Sequence, residues 1–245
     1  MSTAIATTNL RVDFGQTVAL RDLSIGVPAR SSLAVIGPNG SGKSTLLSVI
    51  AGTREPTAGS VEVYGQAAAL VLQSTDVDKS LPITVEDTVG IGRYASLGMF
   101  QRFGRADRDA VERSMHRLGI TDLARRQLHE LSGGQRQRAF VAQGIAQVAD
   151  VLLLDEPVTG LDMSSRQVIL ELIDEEVDDG KTVVVTTHSL DEARRCDLVL
   201  LLDTVAIAFG TPDEVLTETH LRRAFGGHFL QVGDDIILDD PHHSH

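Results

Sequence analysis

The stretch SLAVIGPNGSGKSTLLSVIAG, Ser32 to Gly52, decides the fold. It opens as a short apolar run of strand character and crosses a glycine-rich turn. It then continues as KSTLLSVIAG with helical spacing and stops at Gly52, a C-terminal cap. Gly37, Gly42, Lys43 and Ser44 satisfy G-x-x-x-x-G-K-[ST] with a strand before and a helix after, the context that gives the pattern its meaning. Glycines let backbone N–H groups close around phosphate oxygens with no Cβ in the way. Lys43 then reaches the β- and γ-phosphates and the Ser44 hydroxyl ligates Mg²⁺. The whole segment Gly37, Pro38, Asn39, Gly40, Ser41, Gly42, Lys43, Ser44 and Thr45 is the expected phosphate-binding loop.

Working outward, strand patterns (IATTNLRVDF, LSIGV) precede the loop, and SVEVYG and AALVLQ follow its helix. From Pro82 to Leu128 the pattern turns helical and polar, with Val111, Met115 and Leu118 forming one apolar stripe. ADVLLLDEP is a continuous apolar run, as a strand buried on both faces requires. A helix from about Asp162 to Asp178, the strand KTVVVTTH, a short helix and DLVLLLD complete an alternation that implies parallel βαβ units. DLVLLLDTVAIAFG, interrupted by Asp203, reads as two strands, and HFLQVGDDIILDD as a hairpin. The fold class is α/β, with a helical lobe inserted between two parts of the sheet.

Bulk properties narrow the function. The 245 residues carry a formal charge of −12, so the chain lacks the footprint of a general nucleic-acid binder and no nucleic-acid partner is expected. Cys196 is the single cysteine, which excludes an intramolecular disulfide and suits a reducing compartment. MSTAIATTNLRVDF has no basic segment followed by an apolar run and predicts no signal peptide. No stretch reaches the ~20 apolar residues that span a bilayer, so a membrane role requires a partner chain.

Two further features carry chemistry. Asp155 and Glu156 close the VLLLDEP strand, at the strand end where α/β proteins bind ligands. Asp155 is placed to hold Mg²⁺ and Glu156 to orient or deprotonate an attacking water. LSGGQRQR, Leu131 to Arg138, sets a serine and two glycines before an apparent helix, a second arrangement that attracts an anion. His188, Phe14 and Gln73 are ambiguous when read singly: a strand-end histidine, an aromatic in a first strand and a glutamine after a strand all have ordinary structural readings.

LSGGQ between a phosphate loop and LLLDEP resembles the signature of the ABC-type ATPases, in the expected order over nearly the whole chain. The resemblance implies the P-loop core of that family, with an antiparallel β subdomain and an inserted α-helical subdomain at about 82–130. The ATPase domain would span 1–240 and a His-containing tail 241–245. Phe14 matches the adenine-stacking aromatic, and Gln73 the glutamine that touches the Mg²⁺ nucleotide and links it to the transmembrane partner. Asp162 matches the loop that crosses the dimer interface, and His188 the switch histidine, while Glu156 is the catalytic glutamate. Arg30 and Ser31 stand where the family commonly has Gly-Glu. Two such domains would pack head to tail, each ATP lying between Lys43 of one chain and Ser132, Gly133, Gly134 and Gln135 of the other.

One cassette in the chain argues against the translation-associated members, and the spacing between the loops leaves no room for the coiled coil of chromosome-maintenance ATPases. VDKSLPITVEDTVGIGRY and RADRDAVERSMHRLGITDLARRQLHELSGGQ are similar to the manganese/zinc group of bacterial importers, although Leu81 stands where that group often has aromatics. The expectation is an ATP- and Mg²⁺-dependent motor subunit, cytoplasmic and peripheral on the inner face of the membrane. It would work as a homodimer with permease subunits and an extracytoplasmic substrate-binding protein. The alternatives are an importer for iron chelate or another substrate, and a soluble ATPase of iron–sulfur cluster assembly. Asp239, Asp240, His242, His243 and His245 are ligand types suited to zinc or manganese, without the spacing of a closed site.

Overall fold

The computed structural model describes residues 2–65, 67–72, 82–94, 97, 102–226, 229–232 and 235–238, the last two segments as backbone only. The chain opens with strands β1 (Thr3–Phe14), β2 (Thr17–Leu23) and β3 (Gly26–Pro28), then enters β4 (Ser32–Ile36) and helix α1 (Lys43–Ile50). Strand β5 (Ala58–Val63) returns to pair with β1, completing an antiparallel sheet in which β1 also pairs with β2 and β3. After β6 (Ala68–Val71) come α2 (Val85–Tyr94), α3 (Arg105–Arg117), two single 3-10 turns (Thr121–Leu123, Leu128–Glu130) and α4 (Gly133–Ala146). Strand and helix then alternate through β7 (Val151–Asp155), α5 (Met163–Asp178), β8 (Thr182–Thr187), α6 (Leu190–Arg194) and β9 (Leu198–Asp203). Finally, β10 (Val205–Gly210), α7 (Pro212–Val215), α8 (Glu218–Phe225) and the hairpin β11 (Phe229–Val232) and β12 (Asp235–Leu238) end the described chain.

The central sheet has six strands in the order β10-β9-β4-β8-β7-β6, parallel throughout except for the antiparallel edge pair β9–β10. Strands β4, β7 and β8 are buried at every position because both faces are covered. On one face Ile36, Leu152, Leu154, Val183, Val185 and Leu201 join a core that takes in α4, α5 and the helical lobe. On the other, Leu33, Val35, Leu153, Val184 and Leu200 meet Leu46 and Leu47 of α1 and the inner residues of β1 and β2. The phosphate-loop helix and the helix after LSGGQ therefore cover opposite faces of one sheet.

The expected stripe of Val111, Met115 and Leu118 is buried against Val85 and Val89 of α2 and Ala139 and Ala142 of α4. Arg93 pairs with Asp107 at 3.0 Å and donates to the Ala146 carbonyl at 2.9 Å, binding α2 to α3 and to the end of α4. Arg117 of α3 pairs with Glu176 of α5, whose side chain is fully buried, which ties the lobe to the sheet layer.

One expectation needs correction. LSIGV is not a strand: Leu23 ends β2, and only Gly26 to Pro28 form β3. TVALRDL, unmarked by sequence pattern, is a strand instead, half exposed and burying only Leu20 and Leu23.

Cys196 lies 7% exposed under α6, and burial pushes its thiol up to about 12. The thiolate is the reactive form, so alkylation at pH 8 is expected to stay slow in the folded protein and to become rapid in denaturant. Rapid labelling of the native chain would contradict that packing.

Candidate active site

Strands β4, β8 and β7 are parallel neighbours, so their C-terminal ends open on one edge of the sheet. From β4 comes the loop 37–42, from β7 come Asp155 and Glu156, and from β8 comes His188. That edge is where open α/β sheets bind ligands.

The loop is held by close backbone approach. A Cβ on Gly37 would stand 2.0 Å from the Leu202 carbonyl oxygen of β9, and Gly42, at φ 101°, would press a Cβ to 2.5 Å from that of Ala19. Lys43 is buried, and its Nζ donates to the carbonyls of Gly37 at 2.8 Å and Pro38 at 3.3 Å, so the ammonium lies inside the curl of the loop. Ser41 is 1% exposed and its Oγ has no hydrogen-bond partner among the described residues. Asn39, Gly40 and Ser44 are exposed, Pro38 and Thr45 half-buried. No acidic residue stands in the first turn of α1, so its N-terminal dipole is left to attract an anion.

The acids are fixed differently from one another. Asp155 is buried and its Oδ1 accepts a 2.6 Å hydrogen bond from the Thr186 hydroxyl. Glu156 is half-buried on a left-handed backbone, φ 45°, a strained conformation for a residue with a side chain. Its N–H donates to the same Thr186 Oγ1 at 2.8 Å, and its Oε2 accepts from the Thr159 hydroxyl at 3.2 Å. His188 Nδ1 lies 3.7 Å from that Oε2, with a side chain 55% exposed. The fold thus brings His188 to the Asp155–Glu156 pair, two signals that stood apart in the sequence. Thr186 escaped the sequence reading, since it is one of three threonines in a strand whose other three residues are valines.

The LSGGQ segment is built as a helix cap. Ser132 Oγ accepts from the Gln135 N–H at 3.3 Å while Gln135 Oε1 accepts from the Ser132 N–H at 3.1 Å, a reciprocal capping box on α4. Gly134 is tight: a Cβ there would stand 2.4 Å from Ser165 Oγ. Gly133 is exposed, with nothing within 4 Å of where its Cβ would be. Asp162 caps α5, and the N–H of Ser165 holds its carboxyl below the usual carboxylate range. This group lies next to Gly134 on the α4–α5 side, across the sheet from α1.

Phe14 is 45% exposed, with the Arg54 guanidinium carbon 4.2 Å from its ring centroid, a cation–π contact. Gln73, Leu81 and the tail residues Asp239, Asp240, His242, His243 and His245 lie outside the described residues. The oxygen donors Ser44 and Asp155 suit Mg²⁺, which takes one or two protein oxygens and fills its shell with phosphate and water.

The family profile described as ABC transporter matches residues 20–159. The chain is 35% identical over 239 residues to the manganese transport system ATP-binding protein of Bacillus subtilis, covering 94% of this chain and 96% of that one. It is 37% identical over 232 residues to the zinc transport system ATP-binding protein of Treponema pallidum, covering 91% and 87%. Among solved structures, a metal-chelate type ABC transporter in an inward-facing conformation superposes with a TM-score of 0.83 at 29% identity, over 96% of both chains.

Proposed function

The chain belongs to the ABC transporter family, and we propose that it is the ATP-hydrolysing subunit of an importer for divalent transition metal, manganese or zinc. It works as a homodimer beneath a membrane permease. The observation that carries the motor chemistry is the convergence of loop 37–42, Asp155–Glu156 and His188 at one sheet edge. The metal class rests on near-full-length similarity to manganese and zinc transport subunits.

In this reading, residues 1–240 are the ATPase domain, with 82–130 as its inserted helical subdomain. Phe14 stacks the adenine, and the N–H groups from Gly37 to Thr45 bind the phosphates with Lys43. Ser44, Asp155 and Gln73 would hold Mg²⁺, which would supply positive charge against the phosphate oxygens. Glu156 takes a proton from a water whose oxygen bonds to the γ-phosphorus as the bond to the bridging oxygen of ADP breaks. His188, beside Glu156 Oε2, faces the same phosphoryl group.

The second half of the binding shell comes from Ser132, Gly133, Gly134 and Gln135 of a second copy, since in their own chain these lie across the sheet from α1. Asp162 lies at the seam. ATP favours the closed dimer because closure supplies donors that only the bound γ-phosphate engages, and hydrolysis removes that anchor. No helix among the described residues is long and apolar enough to cross a membrane. Transport therefore requires permease subunits, and an extracytoplasmic binding protein delivers the ion. The chain sits on the inner membrane face.

The test is to isolate the chain with its native partners and reconstitute them in vesicles. Recovery of a permease and ATP-dependent uptake of labelled Mn²⁺ or Zn²⁺ is expected. Recovery of a soluble iron–sulfur scaffold, with no uptake of either ion, would overturn the importer reading.

A further inference from the structure

Strand β8 reads TVVVTT and is buried from end to end, with Thr186 0% exposed. Valine has nearly the shape of threonine, so filling that space does not by itself call for a hydroxyl. A buried hydroxyl is kept where it is bonded. Thr186 Oγ1 is bonded twice, donating to Asp155 Oδ1 at 2.6 Å and accepting from the Glu156 N–H at 2.8 Å. The pairing register produces this bridge, since Thr186 stands opposite Asp155 in the parallel ladder of β7 and β8. The neighbouring Thr187 is used otherwise: its hydroxyl bonds Glu192 and accepts from the Ser189 N–H, bracing the turn that carries His188.

We propose that Thr186 is a positioning residue for ATP hydrolysis, its single hydroxyl setting both the rotamer of Asp155 and the backbone of Glu156. This rests on the reading of Asp155 as the Mg²⁺-holding acid and Glu156 as the base. By engaging Oδ1, the hydroxyl orients the carboxylate that would hold the cation. A neutral donor does this without cancelling the negative charge that the cation needs. By accepting the Glu156 N–H, the same oxygen helps keep the left-handed backbone at φ 45° that aims the side chain. Without that acceptor the strained residue relaxes toward ordinary backbone geometry, and the carboxylate moves away from the attacking water.

The test compares Thr186→Val, Thr186→Ala and Thr186→Ser in the full chain, with Thr182→Val as a control. Thr182 has a buried hydroxyl at the other end of the same strand, where it accepts from the Arg30 N–H at 3.0 Å, far from the acids. Thr186→Val and Thr186→Ala should both lower kcat by about 10–100-fold, as a displacement near 1 Å does. Both should raise the Mg²⁺ concentration for half-maximal activity, weaken Mn²⁺ binding read without turnover by electron paramagnetic resonance with a non-hydrolysable ATP analogue, and leave KM for ATP nearly unchanged. Thr186→Ser should restore most of kcat and the Mg²⁺ dependence. Thr182→Val should keep kcat even if its Tm falls. If Thr186→Val does not fold, the Ala and Ser variants decide. Wild-type kcat and Mg²⁺ dependence in Thr186→Ala, or a serine variant as impaired as alanine, would overturn the proposal. Glu156→Gln, run alongside, separates the two levels. If it is inactive while Thr186→Ala is normal, only the Thr186 proposal falls. If Glu156→Gln hydrolyses ATP normally, the reading of the site falls with it.

Discussion

Glu156→Gln is expected to lower ATP turnover by about 10²–10⁴-fold, the range a positioned general base contributes, while ATP binding survives. Glutamine has the size of glutamate and keeps an oxygen that can accept from the Thr159 hydroxyl. Its backbone N–H still donates to Thr186. What it lacks is a site for the proton of the attacking water. The loop 37–42 and Lys43 arise from β4 and α1 and are untouched, so nucleotide affinity should be near that of the unaltered chain. In the proposed cycle ATP closes the dimer and hydrolysis opens it, so the variant should accumulate as an ATP-bound dimer, seen by light scattering with and without nucleotide. Turnover near the wild-type rate would remove Glu156 from the reaction.

Ser132→Arg is expected to block hydrolysis at least as strongly as loss of one catalytic donor does, about 10²–10³-fold, and again to spare ATP binding. An arginine fills the space a partner's γ-phosphate would approach, but α4 covers the sheet face opposite α1, so the chain's own phosphate loop is left alone. Ser132 also caps α4, and losing that cap costs about 0.5–2 kcal/mol. Ser132→Asp separates the two effects. Aspartate caps a helix as well as serine does, yet sets a negative charge against phosphate. A variant of unaltered Tm that binds ATP and fails to hydrolyse it would locate the defect in the shared site. Full activity in both variants would exclude Ser132 from it.

Much of the fold was legible because its signals are local. The central strands are buried on both faces, which leaves runs such as VLLLD and LVLLLD that little else produces. The helix of the phosphate loop shows its own ends, with Gly42 at the start and Gly52 just past the last turn, at φ 69°. Strand β2 was not legible. Its sequence carries Arg21 and Asp22 because one side is wet, and its register against β1 is broken by bulges. LSIGV misled because apolar content was read as a strand where the chain passes from one short strand to the next.

The site shows the same division. Each motif was readable where it stood, but the meeting of residues 37–42, 155–156 and 188 depends on strand order, which no local pattern encodes. Thr186 illustrates this most plainly. Threonine is an ordinary strand residue, and its role emerges only from the pairing that sets it opposite Asp155. Ser132 and Gln135 held a readable signal that the glycines obscured. S-x-x-Q before a helix is a capping box, so these residues serve their own helix as well as any phosphate.

The central claim is that each active site is divided between two copies of the chain, and mixing two inactive variants tests it most directly. Lys43→Ala destroys the loop half and Ser132→Arg the LSGGQ half. In a mixed dimer one site then carries both lesions and the other carries none. With random association and independent sites, half the dimers are mixed, so activity should return to about a quarter of the wild-type rate. If pull-down shows that mixed dimers form and yet no ATPase activity above that of either variant returns, the site is not divided in this way.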